Sequence, residues 1–236
     1  MLEVRNLSFS YRRTTVLRDV SFVASPGEVV SVVGGNGVGK TTLMRILATV
    51  VVPDGGAVLS EGVDAFEFPL RYRRQLGYLT EDPQLYDDMT VKEYLSYRAL
   101  LKGEPAKRVR RRVNEAAEMC RVEGWLRSTI RNLSRGQKKR VALADALLLR
   151  PRVLLLDDFL AGLDLEMREV AGSILSEAAA FSSVIVTGHE LEDLARWTTR
   201  FLVLRGGVIT ATIPSVGADA ADLVVRVKSA LIGGAE

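Results

Sequence analysis

Apolar and polar positions change period along this chain, and the changes mark out its elements. From Leu2 to Tyr11 they alternate, as in a strand with one buried face, so that Phe9 and Tyr11 share a side. A second strand spans about Leu17 to Ala24 and ends at Ser25-Pro26-Gly27, a turn in which proline fixes one φ and glycine permits the next. Val29 to Val33 is apolar throughout, which predicts a buried strand, and a helical run follows from Thr42 to Val50. Pro53-Asp54-Gly55-Gly56 turns the chain, and Ala57 to Ser60 with Glu61-Gly62 reads as an edge hairpin. Leu76 to Leu79 is a short apolar strand that runs into the polar stretch Thr80-Glu81-Asp82-Pro83.

Beyond this point the period becomes helical. Val91 to Lys102, Ala106 to Val122 and Gly124 to Ile130 read as helices divided by Gly103-Glu104-Pro105 and Glu123-Gly124. A helix from Lys138 to Leu149, closed by Arg150-Pro151, has Ser134 as its N-cap. The run Val153 to Leu156 ends in Asp157-Asp158, Ala161-Gly162-Leu163-Asp164 opens a further helix, and Ser183 to Thr187 is a buried strand that stops at Gly188-His189. Leu223, Val227 and Leu231 repeat every four residues within a last short helix, about Val216 to Leu231, and Gly233-Gly234 starts a frayed tail. The fold expected is α/β in a single domain over 1–236. A mainly parallel core sheet flanked by helices (1–81 and 136–213) joins an antiparallel N-terminal sheet, a helical subdomain is inserted at 82–135, and 214–236 forms the C-terminal helix and tail.

Composition narrows the function. With 236 residues, 47% of them hydrophobic, the chain can bury a full core. The 32 Lys and Arg nearly balance the 29 Asp and Glu, so overall charge does not demand nucleic acid as a partner. The basic excess is local, in Lys107-Arg108-Val109-Arg110-Arg111-Arg112, which reads either as a solvated helix face or as a contact for nucleic acid or acidic lipid. No apolar run approaches the roughly 18 to 20 residues of a membrane span, and the alternation at the start is unlike a signal peptide, so a cytoplasmic chain is expected. The single Cys120 leaves no intrachain disulfide and reads as a packed small hydrophobe.

Candidate chemistry centres on Gly34 to Thr42, G-G-N-G-V-G-K-T-T, which fits G-x-x-x-x-G-K-[ST] with a strand before it and a helix after it. Such a loop turns successive N–H groups inward to cradle phosphates at a helix N-terminus. Lys40 would reach the β- and γ-phosphates and Thr41 would hold Mg²⁺. In a parallel sheet the carboxyl end of the strand before Asp157-Asp158 lies beside that loop, which suits Asp157 to the Mg²⁺ shell and Asp158 to polarising the attacking water; a helix cap is the other reading. Glu81 stands where a chain leaving the sheet could bring a further carboxylate to the metal. His189, the only histidine, is either packed or placed to donate to the γ-phosphate. Tyr11 either stacks on a base or packs, and Tyr86, Met89, Tyr94 and Tyr97 are either anchors for a partner or core.

In order and spacing, the phosphate loop, Leu133-Ser134-Arg135-Gly136-Gln137, the strand ending Asp157-Asp158, Ala161-Gly162-Leu163-Asp164 and His189 resemble the ATP-binding cassette proteins of the ABC transporter superfamily. The resemblance spans about Leu2 to Ala211. It implies an ATP- and Mg²⁺-dependent ATPase of P-loop ABC type, and that Tyr11 stacks on adenine. Val16, Asn36, Gly37, Val38, Gly39, Lys40, Thr41 and Thr42 would hold the nucleotide, with Thr41, Asp157 and Glu81 at the metal and Asp158, His189 and Glu81 in catalysis. Ser134, Arg135, Gly136 and Gln137 would contact the nucleotide of a second cassette chain in a head-to-tail dimer, homo or hetero. The partner it implies is a separate integral membrane permease, with this chain peripheral on the inner face of the cell membrane; the aromatic row makes the Tyr86 to Tyr97 surface the expected docking site, and the charge balance leaves no nucleic acid expected. The segment after 213 is shorter than the regulatory domain that some importer subunits add. Four positions depart from the family pattern: Glu81 replaces glutamine, Arg135 a glycine, Asp158 the catalytic glutamate and Phe159 a proline. Asp158 is one methylene shorter, and a base displaced by about 1 Å costs on the order of 100-fold in rate, so hydrolysis is expected to be slow unless Glu81 shares the work. Two alternatives are an ATP-binding half of a heterodimer and a non-transport switch acting on nucleic acid or ribosomes.

Overall fold

A computed structural model of the chain describes residues 1–161, 163, 165–215 and 217–233, with 165–167 described by backbone alone; Gly162, Asp164, Val216 and Gly234 of the sequence reading lie outside it. The elements in chain order are β1 (Leu2–Tyr11), β2 (Thr14–Ala24), β3 (Val29–Val33), α1 (Lys40–Leu47), β4 (Gly55–Ser60), β5 (Val63–Asp64), α2 (Pro69–Arg73), β6 (Leu76–Leu79), α3 (Val91–Leu101) and α4 (Ala106–Met119). They continue with α5 (Arg135–Leu147), β7 (Val153–Leu156), α6 (Leu165–Ala179), β8 (Ser183–Thr187), α7 (Leu191–Trp197), β9 (Arg200–Arg205), β10 (Val208–Pro214) and α8 (Ala220–Ile232).

Two sheets form the body. One is antiparallel in the order β2-β1-β4-β5; the other runs β10-β9-β3-β8-β7-β6, parallel from β9 to β6 with β10 antiparallel at its edge. The parallel strands are apolar at nearly every position because both faces are covered. Val29, Val33, Leu154, Leu156, Val184 and Val186 point into the core shared with α5 and α6. Their neighbours Val30, Val32, Val153, Leu155 and Ile185 point into the core shared with α1 and the antiparallel sheet. Each such side chain contributes about 1.5–3 kcal/mol by leaving water, so the central strands are the hardest part of the fold to displace.

The helical subdomain packs α3 and α4 against α5. Alpha-helix α3 starts at a capping box in which Thr90 Oγ1 accepts from the Glu93 N–H at 3.2 Å and Glu93 Oε2 accepts from the Thr90 N–H at 2.8 Å. Helix α4 buries Val109, Val113, Ala116 and Ala117 and turns Lys107, Arg108, Arg110 and Arg111 outward, while Arg112 pairs with Glu104 and Glu115. The basic run is therefore the solvated face of an amphipathic helix.

Several sequence expectations change, among them the last helix, which starts at Ala220, the helix from Ala106, which ends at Met119, and Gly55-Gly56, which belong to β4 instead of the turn. The helix expected from Gly124 to Ile130 is two 3₁₀ turns, Glu123–Trp125 and Ile130–Asn132, because its carbonyls serve α3 instead: the Val91 and Lys92 N–H groups donate to Ser128 and Leu126. Helix α1 begins at Lys40, two residues early, and α5 begins at Arg135, directly after its Ser134 cap. Of the aromatic row, Tyr94 is buried and Met89 half-buried against the core, whereas Tyr86 and Tyr97 are 47% and 41% exposed, with the Tyr86 ring edge-on to both others at 5.8 Å. Cys120 is fully buried at the end of α4.

Asp145, on the face of α5 that meets α3, joins the lobes. Its carboxylate accepts from Arg98 Nε at 3.0 Å and pairs with Lys102 Nζ at 2.8 Å, with the Tyr94 hydroxyl at 3.3 Å. Removing one partner of a buried pair strands the other charge. Asp145→Ala should therefore destabilise the domain by about 3 kcal/mol, read as a drop in urea midpoint; a loss below about 1 kcal/mol would show that the cluster is effectively solvated.

Candidate active site

Four strands that are neighbours in the parallel sheet end side by side, and each contributes to one cleft. Strand β3 leads into the phosphate loop, β8 ends at Thr187 and continues into Gly188-His189, β7 ends before Asp157 and Asp158, and β6 before Thr80 and Glu81. The cleft, about 350 Å³, is lined by Asn36, Gly37, Gly39, Lys40, Thr41 and Thr42 on the loop side and by Glu81, Asp157, Asp158, Thr187 and His189 opposite. Tyr11 and Val16, from the antiparallel sheet, complete its wall; the Tyr11 ring stands edge-on to Phe9 at 4.7 Å and is 45% exposed.

The loop is shaped by glycine where nothing else fits. Gly39, the residue before α1, has φ +110°, and a Cβ there would lie 2.9 Å from the Leu17 side chain and 3.2 Å from the Val16 carbonyl oxygen. Lys40 Nζ donates to the carbonyls of Gly34 at 2.8 Å and Gly35 at 3.0 Å, which lays its ammonium across the loop. Burial pulls the Lys40 pKa below the usual lysine range, and the charges of Asp158 and Asp157 oppose this.

Across the cleft, Thr187 Oγ1 organises both aspartates. It donates to Asp157 Oδ1 at 2.6 Å and accepts from the Asp158 N–H at 2.9 Å. Thr41 Oγ1 lies 3.5 Å from the same Asp157 oxygen. Burial raises the Asp157 pKa, against the lowering effect of these two hydroxyls and with a further rise from Glu81 and Asp158. Asp158 has φ +45°, in the left-handed region that a non-glycine residue adopts at a cost of about 1–3 kcal/mol, and its Oδ1 is buried without a hydrogen-bond partner.

Every residue expected at the loop, the metal and the catalytic position thus meets in this cleft except Val38, whose side chain packs on the core beneath β3. Ser134, Gly136 and Gln137 lie outside the cleft lining, at the start of α5. There Ser134 Oγ accepts from the Gln137 N–H at 3.3 Å and Gln137 Oε1 accepts from the Ser134 N–H at 2.8 Å, a reciprocal cap. Sequence reasoning missed Thr187, for which a polar residue closing an apolar strand was the available signal, and Lys139, whose position inside a helix gave none. A larger cleft, about 440 Å³, opens between α4, α5 and α6 beside Phe181, away from these groups.

The family described as ABC transporter matches residues 17–161, which include the loop, the Ser134 segment and both aspartates. The chain belongs to the ABC transporter family. The domain it forms is an ABC-type ATPase domain, with the P-loop α/β fold read from its sequence. Among its relatives is the molybdate/tungstate import ATP-binding protein WtpC of Pyrococcus abyssi, 32% identical over 213 residues that cover 89% of this chain; the chain spans 61% of that relative's length. A solved ATP-binding subunit of an ABC transporter superposes with a TM-score of 0.85 at 30% identity, covering 97% of this chain and 99% of that one. A bacterial ABC transporter cassette solved as a dimer superposes with a TM-score of 0.80 at 25% identity, covering 92% and 100%.

Burial disfavours the charged form of Asp157 and raises its pKa. A carboxyl group with a raised native pKa favours folding when protonated, so that contribution is present in acid and lost as pH rises through its titration. Asp157→Asn keeps an oxygen for Thr187 and removes the charge. In the metal- and nucleotide-free domain it should raise the melting temperature by about 2–4 °C at pH 7, with the gain shrinking as pH falls. Equal melting temperatures at pH 7 would contradict it.

Proposed function

We propose that this chain binds ATP with Mg²⁺ in the cleft, hydrolyses it with Asp158 as the group that polarises water, and uses the resulting dimer cycle to drive a separate membrane permease. The observation that carries this reading is the convergence of Lys40, Thr41, Glu81, Asp157, Asp158 and His189 on one cleft beside a phosphate loop. Backbone N–H groups of the loop and Lys40 bind the β- and γ-phosphates, Tyr11 stacks on adenine, and His189, exposed at the end of β8, donates to the γ-phosphate. The donors facing the Thr41 hydroxyl are all oxygens, which suits Mg²⁺: among the described residues no group of three or more His, Cys, Asp or Glu could hold an ion unaided, and Mg²⁺ takes one or two protein oxygens and fills its shell with water and phosphate. Thr41 and Asp157 would hold it, with Glu81 at the rim, and bound there it would neutralise charge on the β- and γ-oxygens.

The capped start of α5 supports a dimer. Exposed Ser134 and the first turn of α5 take no part in lining the chain's own cleft, so the anion they suit is the nucleotide of a second cassette. Among the described residues no helix is long and apolar enough to cross a membrane, and the permease is proposed as a separate chain. Exposed Tyr86 and Tyr97 on the helical subdomain are the proposed docking anchors, which would make the chain peripheral to the membrane.

Single-turnover hydrolysis tests the assignments. Asp158→Asn should slow the step about 100-fold or more while ATP still binds, and Glu81→Gln should slow it several-fold if the two acids divide the work of one. An unchanged rate in Glu81→Gln would remove Glu81 from the mechanism. For the partner, recovery of a polytopic protein from membranes should be lost with the Tyr86→Ser, Tyr97→Ser pair while basal hydrolysis persists; recovery of ribosomes or DNA instead would refute the transport reading.

A further inference from the structure

Lys139 lies on α5, one turn beyond the Ser134 cap, and is only 7% exposed. A buried lysine needs partners, because desolvation disfavours its charge. Its Nζ donates to two backbone carbonyls on a different element, those of Asp158 at 3.0 Å and Ala161 at 2.9 Å. The Ala161 N–H also closes back on the Asp158 carbonyl, at 3.3 Å. At the far end of the same turn, Arg168 Nε donates to the Leu163 carbonyl at 3.1 Å and its guanidinium pairs with Asp193 on α7 at 2.5 Å.

These contacts bear on Asp158 directly. Its N–H is held by Thr187 and its carbonyl by Lys139, so the peptide groups on both sides of a left-handed, strained residue are tied to neighbouring elements. Strain of this kind persists only where the surroundings over-determine it. Asp158 has just two side-chain torsions, so its backbone decides where its carboxylate lies. A glutamate has a third torsion with which to correct an error; an aspartate does not.

We infer that Lys139 is a positioning residue for hydrolysis: by holding the Asp158 and Ala161 carbonyls it fixes the backbone that carries the Asp158 carboxylate, and ties that carboxylate to the helix whose N-terminus meets the second cassette. The inference rests on Asp158 acting in the hydrolytic step. Lys139 is not among the residues that line the nucleotide cleft; it acts through the backbone of Asp158.

The test compares Lys139→Met, Lys139→Arg, Asp158→Asn and the Lys139→Met, Asp158→Asn double variant in the full chain. ATP affinity is measured with a fluorescent ATP analogue, kcat by phosphate release, and folding by thermal melting. Lys139→Met should lower kcat about 10- to 100-fold with nucleotide Kd within about twofold of wild type, Lys139→Arg should recover most of the loss, and the double variant should be no slower than Asp158→Asn alone. A role in structure only would leave kcat per folded molecule unchanged or move kcat and Kd together, and either result overturns the inference. So does a further drop in the double variant. If Asp158→Asn hydrolyses at the wild-type rate, the assignment of Asp158 fails on its own measurement and the inference falls with it. Should Lys139→Met not melt cooperatively, Lys139→Gln, which keeps a neutral donor of shorter reach, replaces it in the same comparison.

Discussion

The register of the parallel strands is the constraint on which the rest of this structure depends. Val32 stands opposite Thr187, Leu156 opposite Val186, and Leu79 opposite Leu156, so β3, β8, β7 and β6 finish nearly level. Neighbouring strands lie about 4.8 Å apart, which sets the spacing of whatever follows their carboxyl ends. The phosphate loop, the Thr187–His189 segment, the two aspartates and Glu81 are thereby laid out across the cleft in an order the chain itself does not follow, since β6 and β7 precede β8 in sequence. Slipping one strand by a residue would turn its apolar side chains to the wrong core, so the burial that stabilises the sheet also fixes the geometry of the site.

That same burial works against the charged groups it positions. Asp157, Lys40 and Lys139 are all shifted towards their neutral forms by desolvation. Each is held by local hydrogen bonds: Asp157 by Thr187, Lys40 by the carbonyls of its own loop, Lys139 by those of Asp158 and Ala161. The site is therefore a place where hydrogen bonds to backbone and hydroxyl groups offset costs that the strands around it impose, and where Asp158 retains both strain and an unpartnered oxygen. Asp158 lines the cleft in which chemistry is proposed to occur.

The contrast between the two ends of α5 shows how one helix links separate tasks. Its capped N-terminus faces outward, its first turns reach the Asp158–Ala161 backbone through Lys139, and its later turns meet α3 through Asp145. A displacement of the helical subdomain relative to the core sheet would have to pass through these same contacts.

Much of this was legible in residue patterns. The strands Leu76–Leu79 and Ser183–Thr187 fell where their apolar runs placed them, and Gly34 to Thr42 announced a phosphate loop, because a pattern repeated over local sequence reflects local φ/ψ and burial. The Gly124–Ile130 helix failed because its backbone partners come from α3, and α2, α7, β9 and β10 were not foreseen at all. Sequence by itself determined that a P-loop cassette is encoded and which carboxylates and hydroxyls it has at its disposal. Only the tertiary structure decided that Thr187 bridges Asp157 and Asp158, that Lys139 holds the strained turn, and that Tyr94 is core while Tyr97 is surface. Those facts depend on groups brought together from distant parts of the chain by sheet register and helix packing, and no local pattern records such a meeting.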